Sequence, residues 1–320
     1  MEGAAIFVDG LVKRYGELVA VNGLSLSVPR GTIYGLLGPD GAGKTTTIRC
    51  LAGAINFDAG EVRLEGWRLP EDLDRVRPLI GYMPQRFALY QDLTLEENLN
   101  FFADLYQVPQ EERARRFPQL LAFTRLEQHT RKLAGQLSGG MKQKLALCTV
   151  LVHRPPVLLL DEPSTGVDPV SRREFWQILL ELRKQGVSIL VSTPYMDEAE
   201  KCDRIGMMAR GHLLVEGTPQ ELRERFPFRV LAIKAEPLFA ARQVLGKLQG
   251  VKTAVLHGDV VDVVVEDAEA VITRAPEALA AAGLSFQSLR EIPPGLEDVF
   301  VHELSSRGLA TPHTVARGGE

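Results

Sequence analysis

A glycine-rich loop is the first segment whose residue types and spacing could do chemistry. Residues 38–45 read GPDGAGKT, which fits the spacing GxxxxGK followed by Ser or Thr, and they stand between an apolar run and a helical pattern. Glycines let backbone N–H groups approach phosphate oxygens closely, and the N-terminus of the helix adds a partial positive charge. Lys44 can then reach the β- and γ-phosphates of a nucleotide, and the Thr45 hydroxyl can coordinate Mg²⁺.

The predicted phosphate contacts extend over the whole loop and one residue beyond it. They are Gly38, Pro39, Asp40, Gly41, Ala42, Gly43, Lys44, Thr45 and Thr46. Asp40 places a carboxylate in a loop built for anions, so we expect its side chain to point away from the phosphates or to cap the loop's own N–H groups. The alternative is a chance glycine turn, which the flanking strand and helix disfavour.

Two adjacent acids follow a second apolar run. Residues 157–162 read VLLLDE, the Walker B pattern of P-loop ATPases. A buried strand would deliver both carboxylates to the carboxyl edge of the sheet, where ligands of open α/β sheets collect. We expect Asp161 to hold Mg²⁺ directly or through water and Glu162 to polarise the attacking water. The alternative is that both acids only cap a turn at Pro163.

A Ser-Gly-Gly tripeptide, Ser138, Gly139 and Gly140, opens another helical pattern. A hydroxyl, bare backbone amides and a helix N-terminus together make a second anion site. One phosphate loop needs only one such site, so a second one implies a second nucleotide. Taken alone, Ser138 could equally be a simple helix N-cap.

These motifs, in this order, resemble the ABC ATPase family over about residues 5–222. Members of that family dimerise head to tail, so that the signature loop of one subunit closes over the ATP held by the other. The resemblance implies ATP and Mg²⁺ as cofactors and adds three residues. Tyr15 would stack on adenine, Gln85 would sense Mg²⁺ and the attacking water, and Asp168 would cross the dimer interface.

The roles implied by the resemblance can be stated residue by residue. Catalysis would rest on Glu162, Gln85 and Lys44, and the Mg²⁺ ligands would be Thr45, Gln85 and Asp161. Taken one at a time, the added residues could instead be a surface tyrosine, a strand-end glutamine and a turn aspartate.

The sequence departs from the family pattern at two positions. In residues 192–200, STPYMDEAE, the third position normally holds a histidine that contacts the γ-phosphate, and here it is Pro194. Proline has neither a side-chain donor nor a backbone N–H. Met141, which replaces the family's commonest glutamine in the signature, is the milder departure.

Three segments narrow the resemblance to daunorubicin/doxorubicin-type ATPases of ABC-2 exporters. They are residues 81–94, residues 172–176 and residues 294–300. Pro194 and the signature sequence MKQK most resemble the first cassette of tandem multidrug-exporter ATPases. This subfamily implies separate ABC-2 permease subunits, efflux of a drug-like or lipid-like substrate, and a second cassette, identical or not. It also implies a peripheral position on the cytoplasmic face of the inner membrane.

The alternative function is that of a soluble ABC ATPase acting on ribosomes or DNA. Such proteins usually carry two cassettes, a long coiled-coil insertion or zinc-binding cysteines. This chain shows one cassette and three scattered cysteines. We expect these cysteines to be free thiols in a reducing cytoplasm. The formal net charge of −4 gives no general attraction to nucleic acid, so no nucleic-acid partner is expected.

The elements that must position these residues alternate between strands and helices. We predict an α/β fold, a P-loop ABC ATPase domain at residues 1–226 with a mixed sheet and a helical subdomain at about 86–151. The strand and helix order beyond it predicts a small α+β ferredoxin-like domain at 227–304. Residues 305–320 lack periodicity and are expected to be disordered.

One exposed segment is expected to contact the permease. Residues 86–93 follow Gln85 directly, and Phe87, Leu89 and Tyr90 could receive a helix of the membrane partner. The alternative is that these side chains fill the core of the helical subdomain, because apolar residues are usually buried. No apolar run in the sequence approaches the roughly 20 residues that span a bilayer.

Overall fold

The computed structural model describes residues 3–86 and 88–309, and the chain forms two compact units, Met1–Glu216 and Gly217–Glu320. The division at 216/217 differs from the domain boundary that the sequence predicts at 226/227. The reason is a short helix, Pro219–Glu224, which packs against the last helix of the second unit.

The strands of the first unit form two sheets. Within the described residues they are β1 (Ala4–Tyr15), β2 (Leu18–Pro29), β3 (Ile33–Leu37), β4 (Ala59–Leu64), β5 (Trp67–Leu69), β6 (Ile80–Met83), β7 (Val157–Asp161), β8 (Ser188–Thr193), β9 (Arg204–Ala209) and β10 (His212–Gly217). One sheet has the order β2-β1-β4-β5 and is antiparallel. The other has the order β10-β9-β3-β8-β7-β6, and its strands β9, β3, β8, β7 and β6 run parallel.

Strands β3, β7 and β8 form the centre of the parallel sheet, and every residue in them is buried. Strands covered on both faces are rich in continuous apolar residues, as the run VLLL of β7 illustrates. Their register aligns Leu37 with Thr193 and Asp161 with Ser192. The carboxyl ends of the three strands therefore meet at one edge, where the glycine loop also begins.

Several helices of the first unit begin directly at or after one of the motifs. They are α1 (Lys44–Leu51), α2 (Leu73–Val76), α3 (Leu95–Leu105), α4 (Gln110–Thr124), α5 (Gly139–Leu151), α6 (Pro169–Lys184) and α7 (Met196–Ala199), with short 3-10 helices at Arg77–Leu79, Glu127–His129 and Ala134–Gln136. In α1, Ile48 and Leu51 join a core cluster with side chains of both sheets. Helix α1 ends at Leu51, two residues before Gly53, which takes a positive φ of 63°.

Helices α3, α4 and α5 lie within the predicted helical subdomain. Helix α5 is its centre, because it packs against α3 and α4 and also against α6. Helix α3 begins at a capping box in which Thr94 and Glu97 satisfy each other's backbone N–H groups. None of the helices in residues 3–86 and 88–309 is long and apolar enough to cross a membrane.

The second unit has the predicted ferredoxin-like order. After α8 (Pro219–Glu224) come β11 (Arg229–Glu236), α9 (Leu238–Leu245), β12 (Val251–His257), β13 (Val260–Val265), α10 (Ala268–Ala281), β14 (Ser285–Ile292) and α11 (Leu296–Ser306). In the part that the structure describes, the sheet order is β12-β13-β11-β14 and all neighbours are antiparallel. Residues 305 and 306, predicted to begin a disordered tail, are helical, and residues 310–320 of that tail lie outside the described residues.

Substitutions on the two faces of these helices should differ in cost. Leu279 of α10 is fully buried in the core of the second unit, whereas Phe239 of α9 is 60% exposed. We expect Leu279→Ala to lower the free energy of unfolding of this unit by about 2–5 kcal/mol, because a cavity adds to the lost transfer energy. Phe239→Ala should change it by less than about 0.5 kcal/mol. Urea titrations of both variants test this, and equal losses would contradict the packing described.

Candidate functional site

The glycine loop follows β3 and is held between two backbone segments. A Cβ atom on Gly38 would lie 2.3 Å from the Met208 carbonyl oxygen, and one on Gly43 would lie 2.5 Å from the Ala20 carbonyl oxygen. Gly43 also takes a φ of 106°, which residues with a side chain rarely adopt. The loop therefore needs glycine at both positions to pass between β9 and β2.

Lys44 lies near the end of the loop, where α1 begins, and is only 3% exposed. Its ammonium donates to the carbonyl oxygens of Gly38 at 2.7 Å and Pro39 at 3.1 Å. The same Nζ atom is 3.0 Å from Glu162 Oε1. The structure thus brings the loop lysine and the second acid of β7 into direct contact. Asp40, in contrast, is exposed.

Asp161 is fully buried at the end of β7. Its Oδ1 atom accepts hydrogen bonds from the Thr45 and Ser192 hydroxyls, each at 2.9 Å. Burial raises the pKa of this carboxyl, and the two hydroxyl donors oppose that shift. Among the described residues, Asp161 Oδ2 is buried and has no hydrogen-bond partner. A divalent cation held by Thr45 and Asp161 would supply that partner, so these residues fit Mg²⁺.

Glu162 joins the remaining catalytic candidates. Its Oε2 atom accepts a hydrogen bond from Gln85 Nε2 at 2.9 Å, while Oε1 faces Lys44. Its backbone has a φ of 46°, in the sparsely populated left-handed region. Such backbone strain is typical of functional sites, where the surroundings fix the conformation. Gln85, Lys44 and Glu162 therefore form one connected cluster.

Ser192 is a site residue that the sequence reasoning missed. Its hydroxyl donates to Asp161 Oδ1, and it accepts a hydrogen bond from the Glu162 backbone N–H at 2.9 Å. It therefore positions both acids at once. A serine near the end of a buried strand, β8, was the available signal, but the pairing of β8 with β7 had to be known to use it.

Glu198 and Gln143 are two further residues that the sequence reasoning did not assign. Glu198 is fully buried and accepts hydrogen bonds from the hydroxyls of Ser164 and Thr193. Gln143 on α5 is also fully buried and donates to the Pro163 carbonyl oxygen. These contacts connect the turn after Glu162 with both the end of β8 and the signature helix.

The signature residues lie away from this cluster. Ser138 caps α5 by accepting a hydrogen bond from the Met141 backbone N–H at 3.3 Å. Ser138 and Gly139 are exposed, whereas Gly140 is buried, and a Cβ atom there would lie 2.3 Å from Ser171 Oγ. Within residues 3–86 and 88–309, no hydrogen bond or ion pair connects these three residues with Lys44. The structure therefore displays the N-cap role, and the contact with a second nucleotide stays a prediction.

Asp168 and Tyr15 are likewise placed apart from the acids. Asp168 caps α6 by accepting hydrogen bonds from the backbone N–H groups of Ser171 at 2.9 Å and Val170 at 3.1 Å. The bond from Ser171 is the main cause that lowers the pKa of Asp168. Tyr15 ends β1 and is 47% exposed, with the Lys13 ammonium 5.3 Å from its ring centroid. Its stacking on adenine stays a prediction.

The segment predicted to contact the permease, residues 86–93, exposes only some of its apolar side chains. Leu89 is 8% exposed, so its predicted role as a docking side chain is wrong, because the side chain packs in the interior. Tyr90 is 47% exposed and contacts Phe101 edge to face, with ring centroids 4.5 Å apart. Phe87 lies outside the described residues.

Comparisons with known proteins agree with this geometry. The family model for the ABC transporter matches residues 21–165. A probable multidrug ABC transporter ATP-binding protein of Escherichia coli K12, YbhF, is 42% identical over 314 residues, which cover 96% of this chain and 53% of the relative. The chain thus spans about half the length of that relative.

Two other relatives align over nearly their full length. Nod factor export ATP-binding protein I of Ralstonia nicotianae is 38% identical, with 92% of each chain covered. Daunorubicin resistance ATP-binding protein DrrA3 of Streptomyces coeruleorubidus is 36% identical, and the alignment covers 94% of this chain and 96% of the relative.

Solved structures of ABC transporter cassettes have a fold similar to that of this chain. An ATP-binding subunit of an ABC transporter superposes with a TM-score of 0.64 at 32% identity, covering 69% of this chain and 93% of that one. The cassette MJ0796, in a dimeric post-hydrolysis state bound to ADP and Pi, gives a TM-score of 0.61 at 26% identity, covering 67% and 98%. These matches confirm the predicted fold class and the predicted family resemblance. The chain belongs to the ATP-binding proteins of ABC transporters, and it contains an ABC ATPase cassette.

Proposed function

We propose that this chain is the ATP-hydrolysing subunit of an ABC-2-type exporter, coupling ATP-driven dimerisation to the efflux of a drug-like or lipid-like molecule through separate permease subunits. The observation that carries the ATPase role is the cluster of three buried residues, Lys44, Asp161 and Glu162, which Gln85 joins through its hydrogen bond to Glu162. The names of three relatives, which concern multidrug transport, daunorubicin resistance and Nod factor export, support an exporter over a ribosome or DNA factor. A peripheral position on the cytoplasmic face of the membrane is part of the proposal.

ATP binding would rearrange the partners of Lys44. Its ammonium now donates to two loop carbonyl oxygens and faces Glu162. Phosphate oxygens carry more negative charge than carbonyl oxygens and form stronger hydrogen bonds with an ammonium. Lys44 would therefore turn toward the β- and γ-phosphates, while backbone N–H groups of the loop and the N-terminus of α1 hold the same phosphates.

The two acids would have separate roles in binding the metal ion and in activating water. Asp161, with Thr45 and Gln85 nearby, would hold Mg²⁺, and the ion when bound neutralises charge on the phosphates. Glu162, freed from Lys44, would accept a hydrogen bond from the attacking water and polarise it. Gln85 donates to Glu162 Oε2, so it can orient that carboxylate toward the water.

A second cassette would complete each site. Ser138 and Gly139 are exposed at the N-terminus of a 13-residue helix, α5. The backbone N–H groups there, together with the helix dipole, would bind the γ-phosphate of ATP held by the partner cassette. Asp168 would lie at the same interface. The partner can be a second copy of this chain or a non-identical cassette.

The roles of the lysine and the glutamate can be separated by mutation. We expect Lys44→Ala to weaken ATP binding by about a hundredfold or more, because charge-assisted contacts to phosphate are lost. Glu162→Gln should bind ATP nearly as tightly as the wild type but lower turnover by at least about a hundredfold and trap a nucleotide-bound dimer. Fluorescent-nucleotide titration, steady-state ATPase and light-scattering mass measure these effects.

The control is Lys184→Ala, since this lysine is 67% exposed and pairs with Glu181 on the same helix. It should leave both ATP affinity and turnover unchanged. Unchanged turnover in Glu162→Gln would remove that residue from the mechanism.

The proposed permease contact can be tested at Tyr90, whose ring is half exposed beside Phe101. We expect Tyr90→Ser to fold, hydrolyse ATP and lose at least half of its co-purification with the membrane partner, because an aromatic anchor is removed from the interface. Phe239→Ser, which alters an exposed ring in the second unit, is the matched control. A lower melting temperature with normal co-purification would instead assign Tyr90 to the packing of the helical subdomain.

Pro194 predicts asymmetry between two ATP sites. It follows Thr193 at the end of β8, where the resemblance implies a histidine, and it offers no donor to a phosphate. Losing one polar contact to a transition-state phosphate costs about 3 kcal/mol, or about a hundredfold in rate. We therefore expect the chain alone to hydrolyse ATP slowly. Its rapid site would form with a non-identical cassette that carries the histidine and borrows Ser138, Gly139 and Gly140 from this chain.

Steady-state ATPase of the purified chain tests this asymmetry. Pro194→His should raise turnover by about a hundredfold, whereas Pro194→Ala, which restores only the backbone N–H, should not. Rapid hydrolysis by the unaltered chain that Pro194→His does not increase would show that Glu162 suffices.

A further inference from the structure

The second unit contains a cavity of about 490 Å³ that no part of the ATPase site uses. It lies between α11 and strands β12 and β13, on the face of the sheet opposite α9 and α10. Val261, Val263 and Val265 of β13 face the helix-covered core, so Asp262 and Val264 between them face the cavity. Its size falls in the range of small-molecule sites, about 300–1,000 Å³.

One side of the cavity is acidic. Asp262, Glu297 and Asp298 line it, and Lys252, which also lines it, is paired with Glu266 at 2.6 Å. The Asp262 side chain is only 14% exposed, and its Oδ2 atom lies 2.9 Å from His257 Nδ1. Its Oδ1 atom is buried and lacks a hydrogen-bond partner among the described residues. Such an atom usually has a partner in the functional protein, because burying it alone is costly.

The other side of the cavity is aromatic. Phe226, Phe228 and His302 contact one another edge to face, with ring centroids 5.2–5.7 Å apart. Val255 and Ile292 extend this apolar wall. Aromatic faces attract cations, and apolar walls bind the hydrocarbon body of a ligand. The combination of these walls with the carboxylates on the other side of the cavity is the chemistry that recognises an organic cation.

Other ligand classes fit less well. An anion would face three carboxylates, and the Lys252 ammonium that also lines the cavity is already paired with Glu266. In the part of the chain that the structure describes, no group of three or more His, Cys, Asp or Glu side chains could hold a metal ion. We infer that this cavity binds an organic monocation with an aromatic or aliphatic body, with Asp262 as its charge partner.

A matched pair of three-ring probes tests the inference. Protein is titrated into 10-methylacridinium, a fluorescent cation, and separately into anthracene-9-carboxylate, an anion of similar shape. Saturating ADP with Mg²⁺ keeps aromatic probes out of the nucleotide site. We expect the cation to bind with a Kd below about 1 mM, and the anion to bind at least tenfold more weakly.

Two variants and one control variant locate the binding site. Asp262→Asn keeps the side-chain shape and should weaken binding of the cation by about tenfold, the loss of one charge-assisted contact. Asp259→Asn removes a carboxylate of the same β12–β13 hairpin that is 74% exposed and pairs with Lys234, and it should have no effect. Val301→Trp, on the α11 wall of the cavity, should block binding of the cation while leaving every charge in place.

Several results would overturn the inference. They are equal binding of the cation and the anion, no binding of the cation by the wild type, or cation binding that neither Asp262→Asn nor Val301→Trp weakens. Circular dichroism and ATPase activity of each variant verify that the chain is folded. If Asp262→Asn fails to fold, Val301→Trp decides the location alone.

Discussion

The buried ion pair between Lys44 and Glu162 is the interaction on which the cassette's site depends. The two side chains are 3% and 6% exposed and 3.0 Å apart. Charges removed from water are stable only when each has good partners, and breaking one such pair leaves an uncompensated charge. Loop carbonyls and the Gln85 amide supply the additional partners. The pair thereby holds the glycine loop against the end of β7, so the residue that we propose binds phosphate and the residue that we propose polarises water are joined by one ion pair.

The parallel sheet makes this pair possible. Neighbouring parallel strands end at the same edge, and the register of β7 with β8 sets Asp161 beside Ser192. Ser192 then bridges the carboxylate of Asp161 and the backbone N–H of Glu162. The positive φ of Glu162 turns its side chain out of the strand direction and toward Lys44. A small change in strand register would therefore separate both acids from the loop.

Local motifs could be predicted from the sequence, whereas contacts between distant segments could not. Residue spacing and apolar runs are visible in the sequence of one chain. They were sufficient to predict the glycine loop, the end of β7 and the order of elements in the second unit. Ser192 and Glu198 act through hydrogen bonds to segments about thirty residues away, which need the strand pairing to be known. Leu89 was misassigned because an apolar residue looks the same in sequence whether it fills a core or covers an interface. Ser138 and Asp168 cap helices within one chain, and their further roles depend on a second cassette.

Pro194 lies between residues that are held in place by side-chain hydrogen bonds. Directly before it, the Thr193 hydroxyl donates to the buried Glu198, which also accepts a hydrogen bond from Ser164 in the turn after Glu162. Tyr195, directly after it, donates its backbone N–H to Thr193 Oγ1 at 3.0 Å. The end of β8 is therefore held in place by side chains that do not require a histidine. The phosphate contact that we propose is missing at Pro194 would therefore be lost without loosening the acids, which is the arrangement expected of a site that binds ATP well and hydrolyses it slowly.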